Sequence, residues 1–282
     1  MTVIDEKSID YLADKARIIR KYIVQMIGEA GSGHPGGSLS AADIMSVLYF
    51  KVLNIDPQNP FDPDRDRFVL SKGHAAPVLY AVLAEKGFFP VEDLWTLRKL
   101  NSPLQGHPDM TKLAGVEMST GSLGQGLSAA NGMALAARVT GKNYRTFVML
   151  GDGEIEEGQI WEAAMTAVHY QLDNLIGFLD NNGLQIDGPV DQVMSPLPLS
   201  QKWEAFGWEV IEINGHDLEE IWKAIQKGLA VKGKPTMIIC KTIKGKGVSY
   251  MEDKAEWHGS APDREQVEIA LKELEGGSKN DE

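Results

Sequence analysis

The sequence predicts a doubly wound α/β fold, a mainly parallel sheet with helices on both faces. Three observations carry that prediction. Short runs rich in apolar residues, at 67–70, 146–150, 174–179, 208–213 and 236–241, read as strands buried on both faces. Segments of helical periodicity separate them, which calls for right-handed crossovers and a parallel sheet. The length, 282 residues, suits one large α/β domain or two small ones.

Each element has its own signal. From 4 to 29, Ile9, Leu12, Ala16, Ile19, Ile23 and Ile27 recur at helical spacing. The glycine-rich GEAGSGHPGGS breaks that helix. Ser40 followed by Asp43 resembles a capping box and starts a helix to about 53. A polar loop leads to the strand at 67–70, and helices follow over 75–86 and 91–100. The stretch STGSLGQGLSAANGMALAARVTG, 119–141, enters a small-residue helix that can pack closely. Helices over 158–170, 199–206 and 217–230 alternate with the remaining strands. The whole chain, 1–282, reads as a single domain, with a flexible tail over about 275–282.

Composition narrows the function. A net charge of −12 disfavours nucleic acid and anionic membrane surfaces as partners. No apolar run reaches the roughly 18 residues of a membrane span, and the charged N-terminus lacks a signal-peptide core. One cysteine, Cys240 in PTMIIC, permits no internal disulfide, reads as a buried strand residue, and fits a cytoplasmic protein.

The chemistry concentrates where strands end. FVMLGDGEIEEG places Asp152 between Gly151 and Gly153 directly after one strand. FLDNNGLQIDG places Asn182 after the next. If those strands are parallel neighbours, both side chains emerge at the same sheet edge, where ligands of such folds bind. A carboxylate from Asp152, an amide oxygen from Asn182 and the Leu184 carbonyl would supply three protein oxygens. With two phosphate oxygens and a water they complete the octahedron of Mg²⁺, with Ca²⁺ or Mn²⁺ in its place. Gly151 and Gly153 let backbone approach a phosphate, and a helix start near Gly158 points its dipole there. Taken alone, GDG reads more readily as a plain strand-to-helix turn. Its partner motif, separated from it by one helix and one strand, favours the ligand reading.

This paired GDG…NN pattern resembles the thiamin-diphosphate-binding signature. GSGHPGGSLSAADIMSVLY, LSKGHAAPVLYAVL, GHPD and GVEMSTGSLGQGLSAANGMALA are similar to the N-terminal half of transketolases, in order over about 10–262. The resemblance implies thiamin diphosphate and Mg²⁺ as cofactors and ketol transfer between sugar phosphates as the activity. Four of the six histidines follow a glycine directly, and repeated Gly-His pairs in loops suggest exposed imidazoles. By resemblance, His34 and His258 handle substrate oxygens, His107 meets the donor's first hydroxyl, and His74 lies by the diphosphate, which His258 also contacts. His216, directly before a helix cap at Asp217, and His169, late in a helix, read as structural. Gly121, Ser122 and Leu123 match backbone contacts to the cofactor, although transketolases commonly carry proline at the position of Ser122. Glu157 matches a catalytic glutamate that links the two active sites of a dimer. Its neighbours Glu154 and Glu156 read as solvated or interfacial, and KTIKGKG, 241–247, as a flexible basic loop.

The family's second, pyrimidine-binding module carries a cofactor-activating glutamate, a stacking aromatic and phosphate-gripping arginines. No segment here supplies it. The resemblance therefore implies a split enzyme: a separate C-terminal chain, an α₂β₂ assembly, and central pentose-phosphate metabolism as the default setting. Alternatives are a subunit of a deoxyxylulose-phosphate-synthase-like or 2-oxo-acid-dehydrogenase-like enzyme, and a non-catalytic cofactor-binding paralogue.

Overall fold

The computed structural model describes residues 8–276. Helix α1 (Ile9–Ala30) is capped by Ser8, whose hydroxyl accepts from the Tyr11 amide, and ends at Gly31 in the left-handed region. The expected start at residue 4 lies outside the described residues. Two short helices follow, α2 (Pro35–Ser40) and α3 (Ala42–Val47), continued by a π-turn over Leu48–Val52. The expected cap at Ser40 is not formed. Pro35 starts the helix earlier, since its missing amide costs nothing at a first turn. Ser40 instead donates to the Asp180 carboxylate at 2.6 Å.

Strand β1 (Arg67–Leu70) leads through a 3₁₀ turn at Gly73–Ala75 into α4 (Ala76–Lys86). The expected helix over 91–100 is only a 3₁₀ turn, Val91–Thr96, because Arg98 and Asn101 take left-handed backbone, with φ 59° and 66°. Next come α5 (Gln125–Val139), β2 (Thr146–Gly151), α6 (Gly158–His169) and β3 (Leu175–Asn181). A small hairpin not foreseen from the sequence, β4 (Leu184–Gln185) and β5 (Gly188–Pro189), precedes α7 (Val190–Val193) and α8 (Leu199–Ala205). The chain then runs through β6 (Glu209–Asn214), α9 (Leu218–Ala230) and β7 (Thr236–Lys241). It closes with α10 (Arg264–Gly276), also unforeseen, which packs on α1. Glu275 and Gly276, assigned to a flexible tail from the sequence, therefore end a helix, and 277–282 lie outside the described residues.

The five main strands are all parallel, in the order β1-β2-β3-β7-β6. Strand alternation divides their side chains between two cores. Phe147, Met149, Ile176 and Phe178 face a core shared with α1, α3, α4 and α9. Val148, Leu150, Leu175 and Leu179 face the other, built with α5, α6 and α8. Both faces are thus covered, as the apolar runs required. Cys240 is fully buried in β7.

Candidate functional site

Gly151 pairs in register with Asp180, so β2 and β3 finish level and their following loops share one edge of the sheet. There the Asp152 carboxylate accepts from the Gly153 amide at 2.9 Å and, across the gap, from the Gly183 amide at 2.6 Å. Asn182 is held by two bonds: its amide nitrogen donates to Asp180 at 3.3 Å, and its oxygen accepts from the Leu184 amide at 3.2 Å. The Leu184 carbonyl accepts from the Lys244 ammonium at 2.8 Å. The sequence-assigned oxygens of Asp152, Asn182 and Leu184 therefore meet around one turn.

They line a cleft of about 390 Å³ whose floor is glycine-rich backbone. Gly153 permits this close approach, because a Cβ there would stand 2.5 Å from the Gln185 side-chain oxygen. Gly73 brings two loops together in the same way: its Cβ would stand 2.6 Å from the Thr120 hydroxyl and 2.7 Å from the Gly121 amide. Gly121, Leu123, Gly151, His74 and Glu157 also line the cleft, while Ser122 is exposed on the loop between Gly121 and Leu123. A larger groove, about 660 Å³, opens between α1, the 91–96 turn and α10. Its only charged lining residues are Glu29 and Arg264, so the reactive groups lie in the smaller cleft.

The electrostatics suit a cation and a polyanion together. Burial, helped by the nearby Asp180 carboxylate, pushes Asp152 up to about 6. A cation at that carboxylate would oppose both causes. Burial pulls the Lys244 ammonium down to about 8, against the attraction of Asp152. Lys72, fully buried, pairs with Asp180 and donates to the Gly37 carbonyl at 2.6 Å. Among the described residues no group of three or more His, Cys, Asp or Glu side chains is placed to hold a metal. A metal here would rest on one carboxylate, one amide oxygen, one carbonyl and its ligand's own oxygens, the donor set of a hard cation such as Mg²⁺. The residues present fit a metal-bound diphosphate.

Four imidazoles gather at the mouth. The ring of His34 lies 5.5 Å from His74, 5.6 Å from His258 and 6.3 Å from His107, and His74 stacks on His258 at 5.0 Å. Burial first, then neighbouring cations, hold His34 down to about 4 and His258 to about 3, and lower His74 and His107 as well. These rings are neutral near pH 7. The Lys244 ammonium donates to Nδ1 of His258 at 3.0 Å, and the Arg98 guanidinium faces Nδ1 of His34 at 3.5 Å. With those nitrogens as acceptors, each ring carries its proton on Nε2.

Several groups escaped the sequence reading. Lys244 is 2% exposed and bound into the site, so the expected flexible basic loop is part of the cleft wall. Glu154, read as solvated or interfacial, is 2% exposed and clamps the turn, accepting from the Gly124 and Gly151 amides at 3.0 Å each. Asp180 gathers Ser40, Lys72, Thr242 and Asn182. The only sequence signal for Asp180 was a charge at the end of an apolar run. His216 is structural: its Nδ1 meets Asp43 at 2.7 Å and its Nε2 accepts from the Ile243 amide, while Asp217 caps α9. His169 sits exposed at the end of α6.

Fold and site together define an α/β domain with an oxygen-lined cleft at the carboxyl edge of a parallel sheet, where ligands of such folds bind, beneath a histidine cluster. The chain belongs to the transketolase family: the model "Transketolase, thiamine diphosphate binding domain" matches residues 12–280. It is 48% identical over 270 residues to the 6-deoxy-6-sulfo-D-fructose transketolase subunit SqwG of Clostridium sp., covering 96% of this chain and 98% of that relative. It is 44% identical to an apulose-4-phosphate transketolase subunit of Actinobacillus succinogenes, covering 95% of this chain and 97% of the relative. Human transketolase is 45% identical over 96% of this chain, which spans 43% of that protein. The crystal structure of transketolase from Campylobacter jejuni superposes with a TM-score of 0.90 at 36% identity, over 95% of this chain and 43% of that one.

Proposed function

We propose that this chain is the diphosphate-binding subunit of a two-chain transketolase. It binds thiamin diphosphate with Mg²⁺ and, with a separate C-terminal chain, transfers a two-carbon ketol unit from an anionic ketose to an aldose. The observation that carries the reading is the convergence of His34, His74 and His258 beside the Asp152–Asn182–Leu184 turn. A cofactor-storage module has no use for several neutral imidazoles at its mouth. The likeness to relatives named as subunits, at nearly their full length, supports the two-chain assembly. Their names also favour a dedicated sugar substrate over the general pentose-phosphate set.

Asp152, Asn182 and the Leu184 carbonyl would hold the metal, and Gly121, Leu123, Gly153, Lys244 and His74 the diphosphate. Thiamin diphosphate, when bound, supplies a carbon nucleophile and an electron sink for the transferred unit. The chain's own residues handle the substrate. His34 and His258, protonated on Nε2, donate to the carbonyl and hydroxyl oxygens, and being neutral near pH 7 they do so as hydrogen-bond donors rather than as cations. His107 faces the first hydroxyl of the donor. Glu157 would meet a second copy, a role its exposure at the start of α6 supports.

The pure chain is expected to show no ketol transfer from a ketose phosphate to an aldose phosphate, and addition of the C-terminal chain to restore it. Robust turnover by the pure chain would overturn the two-chain reading. In the assembled enzyme His34→Ala is expected to lower kcat/KM by about 100-fold, the usual scale of one lost hydrogen-bond donor to the reacting oxygens. Thiamin diphosphate affinity measured by calorimetry should stay within about threefold. A matching loss of cofactor affinity would move His34 from substrate handling to cofactor support.

A further inference from the structure

Lys244 enters the cleft from the 242–247 loop, and the Gly-His pair at 215–216 holds that loop from outside the cleft. Strands β6 and β7 end level, with Asn214 opposite Lys241, so the segments that follow them run side by side. Gly215 permits their contact: a Cβ there would stand 2.5 Å from Cγ2 of Thr242 and 3.0 Å from the Lys241 carbonyl, to which the Gly215 amide donates at 2.7 Å. His216 is thereby set against the loop, and its Nε2 accepts from the Ile243 amide at 2.8 Å. Its Nδ1 faces Asp43 at 2.7 Å, and Asp43 is itself held by Arg20. A ring nitrogen that accepts carries no proton, so the proton sits on Nδ1 and is donated to the carboxylate. Arg20, Asp43 and His216 form a line of contacts that ends on the amide directly before Lys244.

Lys244 needs such support. Its ammonium is buried, which favours escape to water, yet it is aimed at two groups of the site at once: the Leu184 carbonyl at 2.8 Å and Nδ1 of His258 at 3.0 Å. Its stem passes over Gly36, where a Cβ would stand 2.9 Å from Cγ of the lysine. The loop backbone is pinned on both sides of it, the Ile243 amide by His216 and the Gly245 amide by the Gly36 carbonyl at 3.0 Å. The second clamp is backbone to backbone. The first is made by a side chain, and a substitution can remove it.

We propose that His216 is a positioning residue for the histidine cluster: by holding the Ile243 amide it aims Lys244 at His258, and so decides which nitrogen of His258 carries the proton. With Lys244 withdrawn, Nδ1 of His258 loses its donor, and the two neutral tautomers of that ring become comparable in energy. Rings of the second tautomer present a bare nitrogen where a substrate oxygen needs an N–H. His216 thus acts on the substrate-facing ring without touching substrate, as an outer group that orients an inner one. The proposal rests on the ketol-transfer reading only for the statement that His258 faces the substrate. If His216 served stability alone, its contact with Asp43 would be the one that matters, and its two ring nitrogens let the cases be separated.

The test compares variants of the whole chain. His216→Gln brings an amide oxygen to the place of Nε2 and keeps an acceptor for Ile243. His216→Asn brings an amide to the place of Nδ1, keeps a donor for Asp43 and falls short of Ile243. His216→Ala removes both contacts. The nitrogen resonances of the His258 ring, which separate protonated from bare nitrogens, are read by NMR near neutral pH in the cofactor-free chain. The wild type and His216→Gln are expected to show one tautomer, protonated on Nε2, and His216→Asn and His216→Ala averaged signals. In the enzyme assembled with its C-terminal chain, His216→Asn should lose about tenfold in kcat, the scale for a group that orients a functional side chain, and His216→Gln should recover most of it. A single Nε2-protonated tautomer in His216→Asn would overturn the proposal, as would averaged signals in the wild type or in His216→Gln. Loss of the fold in all three variants would assign His216 to stability and overturn it too. Should His216→Ala alone fail to fold, the comparison of Gln with Asn still decides. The resonances need neither cofactor nor partner, so the expected pattern in an assembled enzyme without ketol transfer would count against the ketol-transfer reading alone.

Discussion

Asp152→Ala is expected to abolish metal-dependent binding of thiamin diphosphate. In calorimetry with excess Mg²⁺ the affinity is expected to fall at least about 100-fold, because the only carboxylate in the proposed donor set is gone. The remaining oxygens, from Asn182 and Leu184, are neutral and cannot alone balance the cost of desolvating a small divalent ion. The substitution should leave the fold intact or slightly firmer. Asp152 is buried and raised to about 6 in the metal-free protein, so its charge is held there at a cost. Unchanged or slightly raised stability with a large loss of cofactor binding would place this residue in ligand chemistry. Unchanged affinity would remove the metal assignment.

The largest effect on stability is expected at Asp43. Its carboxylate is bidentate to Arg20, at 2.9 and 2.5 Å, and accepts from His216 at 2.7 Å, tying α1, α3 and the loop before α9 into one buried network. Asp43→Ala leaves the Arg20 charge buried without its partner, a loss of about 3–5 kcal/mol. The melting temperature should drop by roughly 10 °C for a domain of this size. Burial pushes the Asp43 carboxyl up, but Arg20 and His216 override it and hold it at about 2. Its folded pKa lies below its ordinary value, so the contribution is complete above about pH 4. It is lost as pH falls through 2. Denaturant titrations at pH 4 and pH 2 should show this loss in the wild type and a smaller one in Asp43→Asn. Equal slopes in the two proteins would show that the network is not what acid breaks.

Much of the fold was legible in the sequence because strands buried on both faces admit little but apolar residues. The run 236–241 agrees with β7 at both ends. Signals that depend on local chemistry alone were less reliable. Ser40 and Asp43 have the spacing of a helix cap, yet tertiary partners, Asp180 for one and Arg20 for the other, claim both side chains. The periodicity through 91–100 could not reveal that Arg98 turns the chain into left-handed backbone. In the site, Asp152, Asn182 and Leu184 could be placed from strand order, since parallel neighbours end at the same edge. Lys244, Glu154 and Asp180 could not. Burial of a charge depends on which hydroxyl, ammonium, amide or carbonyl meets it across the fold, and the partners that decide it here lie 30 to 140 residues away.

The central claim is that one divalent cation joins the ends of β2 and β3 to a diphosphate. It is tested most directly by replacing Mg²⁺ with Mn²⁺ in crystals grown with thiamin diphosphate and locating the ion by anomalous scattering. The ion is predicted within about 2.0–2.6 Å of the Asp152 carboxylate, the Asn182 amide oxygen and the Leu184 carbonyl. Bound cofactor with the manganese peak elsewhere, or with no peak at all, would contradict it.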